Sequence, residues 1–212
     1  MKKVFAFMAV AACMLFAGKA NAQLTVNVGY APTTLTTTYS GNDSKMDLNG
    51  FFVGANYNIN LTGDLNVAVG ADFRYNTKTE SDGASVFGVT ATSEVTHTQM
   101  LIDIPVLFNY GLNLNSDIRV SAFVGPTFSL ALNGKTTAEG SIAGFGGSKE
   151  LEWYGDNSDM KKFDIGLTFG LNLGYRQYRL FGGYNMGLMN LTEADDTTLK
   201  AAGWFVGLGF AL

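Results

Sequence analysis

Hydrophobic residues in this chain fall at every second position far more often than in runs. The clearest stretch puts Leu65, Val67, Val69, Ala71, Phe73 and Tyr75 on one face of an extended segment, and Asn66, Ala68, Gly70, Asp72, Arg74 and Asn76 on the other. Successive side chains of a strand point to opposite sides, so the segment has one apolar and one polar face. The same period sets Phe51, Val53, Ala55, Tyr57 and Ile59 against Gly50, Phe52, Gly54, Asn56 and Asn58. It also sets Met100, Ile102, Ile104, Val106, Phe108 and Tyr110 against Leu101, Asp103, Pro105, Leu107 and Asn109. With Leu24 to Tyr30, Ile118 to Leu132, Phe163 to Tyr175, Tyr178 to Leu188 and Ala202 to Leu212, the pattern predicts eight strands.

The connections alternate in length. Leu61 to Asp64, Asn113 to Ser116 and Arg176-Gln177 read as tight turns, whereas Thr36 to Met46, Thr79 to Thr96, Asn133 to Asp159 and Thr192 to Thr198 read as long polar loops. Short turns at one end and long loops at the other are the asymmetry of an up-and-down transmembrane barrel, with the turns and both termini in the periplasm. Tyr57, Tyr110 and Tyr175 precede short turns, while Tyr30, Phe51, Tyr75 and Phe163 fall near the other ends, as two aromatic girdles would require.

Composition sharpens the choice. The chain is 47% hydrophobic and only 15% charged, yet beyond its N-terminus no stretch reaches the roughly 18 consecutive apolar residues that a membrane helix needs. Strands that show lipid only alternate side chains reconcile the two facts. A soluble sandwich would have little use for Asn, Asp and Arg on the faces opposite the apolar ones. The fold expected is an all-β, eight-stranded antiparallel up-and-down transmembrane β-barrel.

The ends point to the outer membrane. Met1, Lys2 and Lys3, then the apolar Val4 to Gly18, then Ala20-Asn21-Ala22, make a signal peptide over residues 1–22 and leave 23–212 as the barrel domain. Its removal takes Lys2, Lys3 and Lys19, making a chain of formal charge −4 more acidic by three. Val10-Ala11-Ala12-Cys13 has the form of a lipobox, but the apolar run continues through Met14, Leu15 and Phe16 before the better cleavage site. Cys13 is the single cysteine, so a chain cut after Ala22 has no thiol. The last strand alternates up to Phe210 and Leu212, resembling the barrel-assembly signal of outer-membrane proteins, with Leu as the last residue where Phe is usual and Phe205 where a polar residue is common.

Four segments carry a family resemblance: IDIPVLFNY at Ile102 to Tyr110, AFVGPTFSLAL at Ala122 to Leu132, FDIGLTFGLNLGY at Phe163 to Tyr175 and FGGYNMGLMNL at Phe181 to Leu191. They resemble the outer-membrane β-barrel domain family that includes the PorT-like proteins, and in size and strand count the chain is similar to OmpX-like barrels. The resemblance implies an integral outer-membrane barrel and, for some members, a link to protein secretion. A shared fold does not transfer an activity.

Chemistry is sparse. Asp72, Arg74, Asp103, Arg119, Asp164 and Arg179 fall on inward faces, three carboxylates for three guanidiniums, and an eight-stranded lumen is just wide enough for side chains to fill, so a paired salt-bridge network is expected. Inward Phe52, Phe123, Phe181 and Phe205 would block an ion path, given room by Gly183, Gly187, Gly203, Gly207 and Gly209. His97, the only histidine, stands near Ser93 and Glu94 at an outer strand end, but without the His-x-Ser spacing of lipid A deacylases it reads as a solvated residue. Glu139, Glu150, Glu152, Asp156 and Asp159 are interleaved with Lys135, Lys149 and Lys161 and lack calcium-loop spacing. Gly140 to Gly147 reads as a mobile surface loop, not a phosphate site.

No catalytic, cofactor or metal site is therefore expected, and the acidic balance argues against nucleic acid. The partners expected are outer-membrane lipid and lipopolysaccharide, the barrel-assembly machinery during insertion, and a protein partner at the outer loops, where Trp153 and Tyr154 look exposed. The role expected is structural or surface interaction through those loops. The alternative is an accessory of a secretion or envelope-assembly complex, with a small pore or a lipid A-modifying enzyme less favoured.

Overall fold

The computed structural model describes residues 22–86, 89–142, 145–155 and 158–212. The expected signal segment up to Asn21, with Cys13, lies outside the described residues, as does Asp156. Ten strands follow in order: β1 Ala22–Tyr30, β2 Thr33–Tyr39, β3 Asn42–Asn60, β4 Leu65–Val86, β5 Val89–Asn113, β6 Ile118–Ile142, β7 Phe145–Glu152, β8 Phe163–Tyr175, β9 Tyr178–Gly187 and β10 Thr197–Ala211.

Eight staves form a closed antiparallel ring. β1 and β2 are two halves of one stave, since each pairs with β3 on one side and with β10 on the other. The period-two pattern predicts a strand only over Leu24 to Tyr30, and the stave continues beyond it. Ala31-Pro32 breaks the stave because proline has no N–H for the ladder, while Ala31 N still donates to Gly50 O at 2.8 Å. Val28 opposite Leu208 and Thr34 opposite Ala202 close the ring, so no edge is left within the bilayer.

The faces are inside out relative to a soluble protein. Val26, Val28, Phe51, Val53, Phe169, Leu171, Val206 and Leu208 are exposed on the outside, whereas Thr25, Asn27, Asn58, Asp103, Thr127 and Thr168 are buried within. Tyr30 packs edge-on against both Phe51 and Trp204 at 5.3 and 5.4 Å, marking the outer aromatic girdle. Tyr178 against Phe210, and Arg176 over the Tyr175 ring at 5.4 Å, mark the inner one.

Three of the expected outer loops are largely strand. Thr36 to Met46 is the tip of the β2–β3 hairpin, turning at Ser40-Gly41, both at positive φ. Thr79 to Thr96 continues the β4–β5 ladder as far as Val86 opposite Val89. Asn133 to Asp159 contains the β6–β7 hairpin, into which the supposed loop Gly140 to Gly147 is absorbed on both sides of residues 143–144, which lie outside the described residues. Threonine and serine suit an extended backbone and are polar because water, not lipid, surrounds this part. These stretches are polar without being irregular. β4, β5, β6 and β7 thus rise above the membrane as one projecting sheet.

A bulge sets its base. Met100 pairs with Asn133 and Leu101 with Ala131, leaving Leu132 unpaired where β6 leaves the apolar band. The extra residue reverses which side chains point inward: Ala131 below the bulge, Gly134 and Thr136 above it.

Candidate functional site

The lumen is where the sequence placed its charges. The inward face of β4 carries Asp72 and Arg74, that of β5 carries Asp103, and Arg74 opposes Phe52 while Asp72 opposes Gly54. Arg74 grips Asp103 Oδ2 through both Nε, at 2.7 Å, and Nη2, with the two side chains only 14% and 7% exposed. Ser129 Oγ donates to the other oxygen, Asp103 Oδ1, at 2.5 Å, and Arg74 Nη1 donates to Thr33 Oγ1 at 3.3 Å. Two donors on one carboxylate oxygen, with Ser129 on the other, satisfy the charges as a buried ion pair needs in order to recover its desolvation cost.

The remaining charges are not paired as three carboxylates with three guanidiniums. Among the described residues Arg74–Asp103 is the single ion pair within the lumen. Arg119 lies at the periplasmic end, where its Nη atoms donate to Gly63 O, Asp64 O and Asn113 Oδ1 at 3.1 to 3.3 Å and so pin the β3–β4 turn. Arg179 donates from Nη2 to Gln23 Oε1 at 2.9 Å. Asp164, near the outer end, accepts from Met189 N at 3.3 Å. Counting charges on inward faces gives their number but not their height along the barrel, and height decides who meets whom.

Asp72 Oδ1 has no hydrogen-bond partner and lies over Gly54, its cross-strand neighbour. Asn56 Oδ1 lies over Gly70, and Asn76 Oδ1 over Gly50, in the same way. Each glycine opposes the side chain that folds back onto it, so the side-chain oxygen occupies the space a Cβ would fill.

Aromatic rings gather in the middle of the lumen. Phe52 and Phe181 lie 6.1 Å apart, Phe181 and Phe205 6.3 Å, and Phe205 and Phe123 6.2 Å, forming a chain of four phenyl groups inside the ring of strands. Glycines make the room: a Cβ on Gly207 would stand 2.5 Å from Phe181 Cζ, and one on Gly170 2.5 Å from Phe123 Cζ. Gly183 seats Phe205, whereas Gly187 faces Asp164, Gly203 faces the Pro32 carbonyl and Gly209 faces Asn27. Beside the rings lies a cavity of about 120 Å³ lined by Asn56, Asn58, Asn109, Asn172 and Asn185 among others.

The outer mouth is covered by a feature that sequence reasoning missed. Trp153 is 7% exposed, not surface-displayed, and clusters with Leu35, Leu48, Leu191 and Leu199. Its Nε1 donates to Thr136 Oγ1 at 2.8 Å. Tyr154 follows it inward: the buried Gln99 donates to its hydroxyl at 2.7 Å and accepts from Asn76 Nδ2 at 3.0 Å. Burial pushes the Tyr154 hydroxyl above its usual pKa, with the Gln99 bond acting in the opposite direction. The segment is held across the mouth by Lys161 N to Leu191 O and Glu193 N to Asp159 O, both at 2.8 Å. Above the girdle the β2, β3 and β10 wall is therefore built like a soluble protein, with Leu35, Leu48 and Leu199 inside and Thr36, Lys45 and Lys200 outside, whereas β4 carries Lys78 and Glu80 on its inward face. The switch on β3 from outward Phe51 to outward Asn49, Asp47 and Lys45, while inward Leu48 and Met46 are apolar, is the signal that could have found it.

His97 is on the inward face of the projecting sheet, its Nδ1 2.9 Å from Thr136 Oγ1 and its ring 6.1 Å from Trp153. Glu94 is on the opposite face, where it accepts from Ser81. Lys135 and Glu150 form an ion pair at 2.8 Å on the outer face, and the carboxylate raises the lysine pKa. Among the described residues, no three His, Cys, Asp or Glu side chains come together to hold a metal ion.

The chain is similar to several solved barrels at low identity. They include Ail of Yersinia pestis, in complex with the heparin analogue sucrose octasulfate, at 16% identity and a TM-score of 0.40 over 91% of this chain and 99% of that one. Neisserial surface protein A matches at 12% identity and 0.38, over 90% of this chain and 98% of that one. The outer membrane protease OmpT of Escherichia coli matches at 10% and 0.40, over 91% and 97%. Comparison of the sequence with curated proteins gives no match. The family described as "Outer membrane protein beta-barrel domain" matches residues 16–193, and a closed ring of eight antiparallel strands with an apolar outside is what that description requires; the chain belongs to this family and resides in the outer membrane.

Proposed function

We propose that the protein is a closed, non-enzymatic barrel that works by display: the lumen is sealed, and the projecting β4–β7 sheet with the neighbouring β2–β3 hairpin meets another molecule outside the cell. The observation that carries this reading is the chain of Phe52, Phe181, Phe205 and Phe123 across the lumen. Trp153 and Tyr154 add a second layer above it. A rigid wall with polar strands standing about ten residues beyond the bilayer is where binding can be supported.

Two measurements test this. In planar bilayers the wild-type protein gives no stable, reproducible conductance steps; regular large steps would sink the sealed lumen. In crosslinked membranes, shortening β4–β5 and β6–β7 abolishes recovery of a bound molecule while the barrel still inserts. Recovery of a stoichiometric outer-membrane partner that survives this shortening would instead make the protein an accessory of a secretion or envelope-assembly complex.

A further inference from the structure

The β10–β2–β3 wall carries two lysines at the height where lipid headgroups begin. In the strand register Lys200 opposes Thr36, and Thr36 opposes Lys45. All three lie on the outward face, the one that runs down β10 through Ala202 to the exposed Trp204, Val206 and Leu208, and down β3 to the exposed Phe51 and Val53. The row therefore stands above the Tyr30, Phe51 and Trp204 girdle, with Lys200 four residues and about 13 Å along the strand beyond Trp204. Two strand spacings put the lysine Cα atoms about 10 Å apart, a gap that two flexible four-carbon stems can close around a single anion.

Asp43 and Asp47 flank Lys45 on the same face of β3 and keep their charge, but the Thr38 and Thr34 hydroxyls donate to them at 2.7 and 2.6 Å and hold them toward β2. Among the described residues neither Lys45 nor Lys200 forms an ion pair, although acids outnumber bases in the chain as a whole.

We infer that Lys45, Thr36 and Lys200 bind a phosphate of the outer-leaflet glycolipid, the lipid A of lipopolysaccharide, with the ring cluster below against its acyl chains. The lysines supply charge and the Thr36 hydroxyl a hydrogen bond, while the continuity of this face with the lipid-facing band brings the headgroup within reach. This deepens the display reading by giving one wall of the outer rim a partner in its own membrane.

The test is thermal unfolding of the full barrel in phosphatidylcholine nanodiscs containing bisphosphorylated or dephosphorylated lipid A. The phosphorylated lipid should raise the wild-type midpoint by about 4 °C over the dephosphorylated one. The double variant Lys45→Gln/Lys200→Gln loses that increment, whereas Lys135→Gln, a lysine on the same outer surface that is paired with Glu150, keeps it. Lys45→Arg/Lys200→Arg keeps the charge and retains the effect, so a loss through misfolding is separable. No increment in the wild type, an increment that survives in the double variant, or one reproduced by free inorganic phosphate would overturn the site. None of these would touch the sealed lumen, which conductance tests separately.

Discussion

Gln99 Nε2 donates to the Tyr154 hydroxyl at 2.7 Å, and through this bond the segment covering the outer mouth is tied to the interior of the barrel wall. Gln99 is buried, and its Oε1 is already taken by Asn76. Tyr154→Phe removes the acceptor and leaves a buried amide N–H without a partner, a cost of about 1–3 kcal/mol. Tyr154→Phe should lower resistance to urea by that amount and speed proteolysis between Trp153 and Lys162, with the membrane-embedded strands still protected. Equal cleavage in variant and wild type would mean that the bond does not hold the segment down.

The Arg74–Asp103 pair gives a sharper contrast. Arg74→Met leaves the Asp103 carboxylate in the lumen with only Ser129 to bond it, which should destabilise by about 3–5 kcal/mol. Arg74→Met combined with Asp103→Leu removes both charges and should recover most of the loss. Urea unfolding of both proteins from bilayers decides this, and a double variant no more stable than the single one would show that the lumen needs the pair for more than mutual neutralisation.

For His97 the expected outcome is silence. Its Nδ1 partner is Thr136, and Glu94 points away on the opposite face. His97→Gln should leave the lipid A mass spectrum of expressing cells unchanged relative to the wild type, which itself should match cells without the protein. A mass shift that depends on His97 would make the protein an enzyme.

The barrel was legible because the bilayer reads a strand residue by residue: lipid on one side and a polar lumen on the other force the alternation seen from Leu65 to Tyr75. Above the girdle that constraint lapses. Water outside and Trp153 inside impose the opposite alternation around Leu35 and Leu48, while β4 turns polar on both faces at Lys78 and Glu80, and a search tuned to lipid reads Thr77, Thr79 and Ser81 as the start of a loop. The ion pair was half legible. Arg74 and Asp103 lie on adjacent strands in nearly the same register, whereas Arg119 and Arg179 sit where the chain turns, and only a strand register fixes that separation. Trp153 gave no local sign, since its burial depends on residues at 35, 48, 191 and 199 that meet it only after the ring closes.

The inward rings were legible as a set, and their seats can be tested one by one. Gly207 lies beneath Phe181 and Phe52, so a methyl group there must displace a rigid ring: a Cβ would come within 2.5 Å of Phe181 Cζ and 2.9 Å of Phe52 Cζ. Gly207→Ala should therefore cost about 1–3 kcal/mol by overpacking, in a strand position where alanine would otherwise be favoured over glycine. If the ring contact is the cause, Phe181→Leu should be harmful in the wild type, where it opens a gap, yet much less harmful or beneficial in the Gly207→Ala background, where it relieves the clash. The four proteins form a double-mutant cycle read by urea unfolding in bilayers. Additive effects would mean that Gly207 is needed for the backbone itself, and that the phenyl chain is seated by something other than the glycines beneath it.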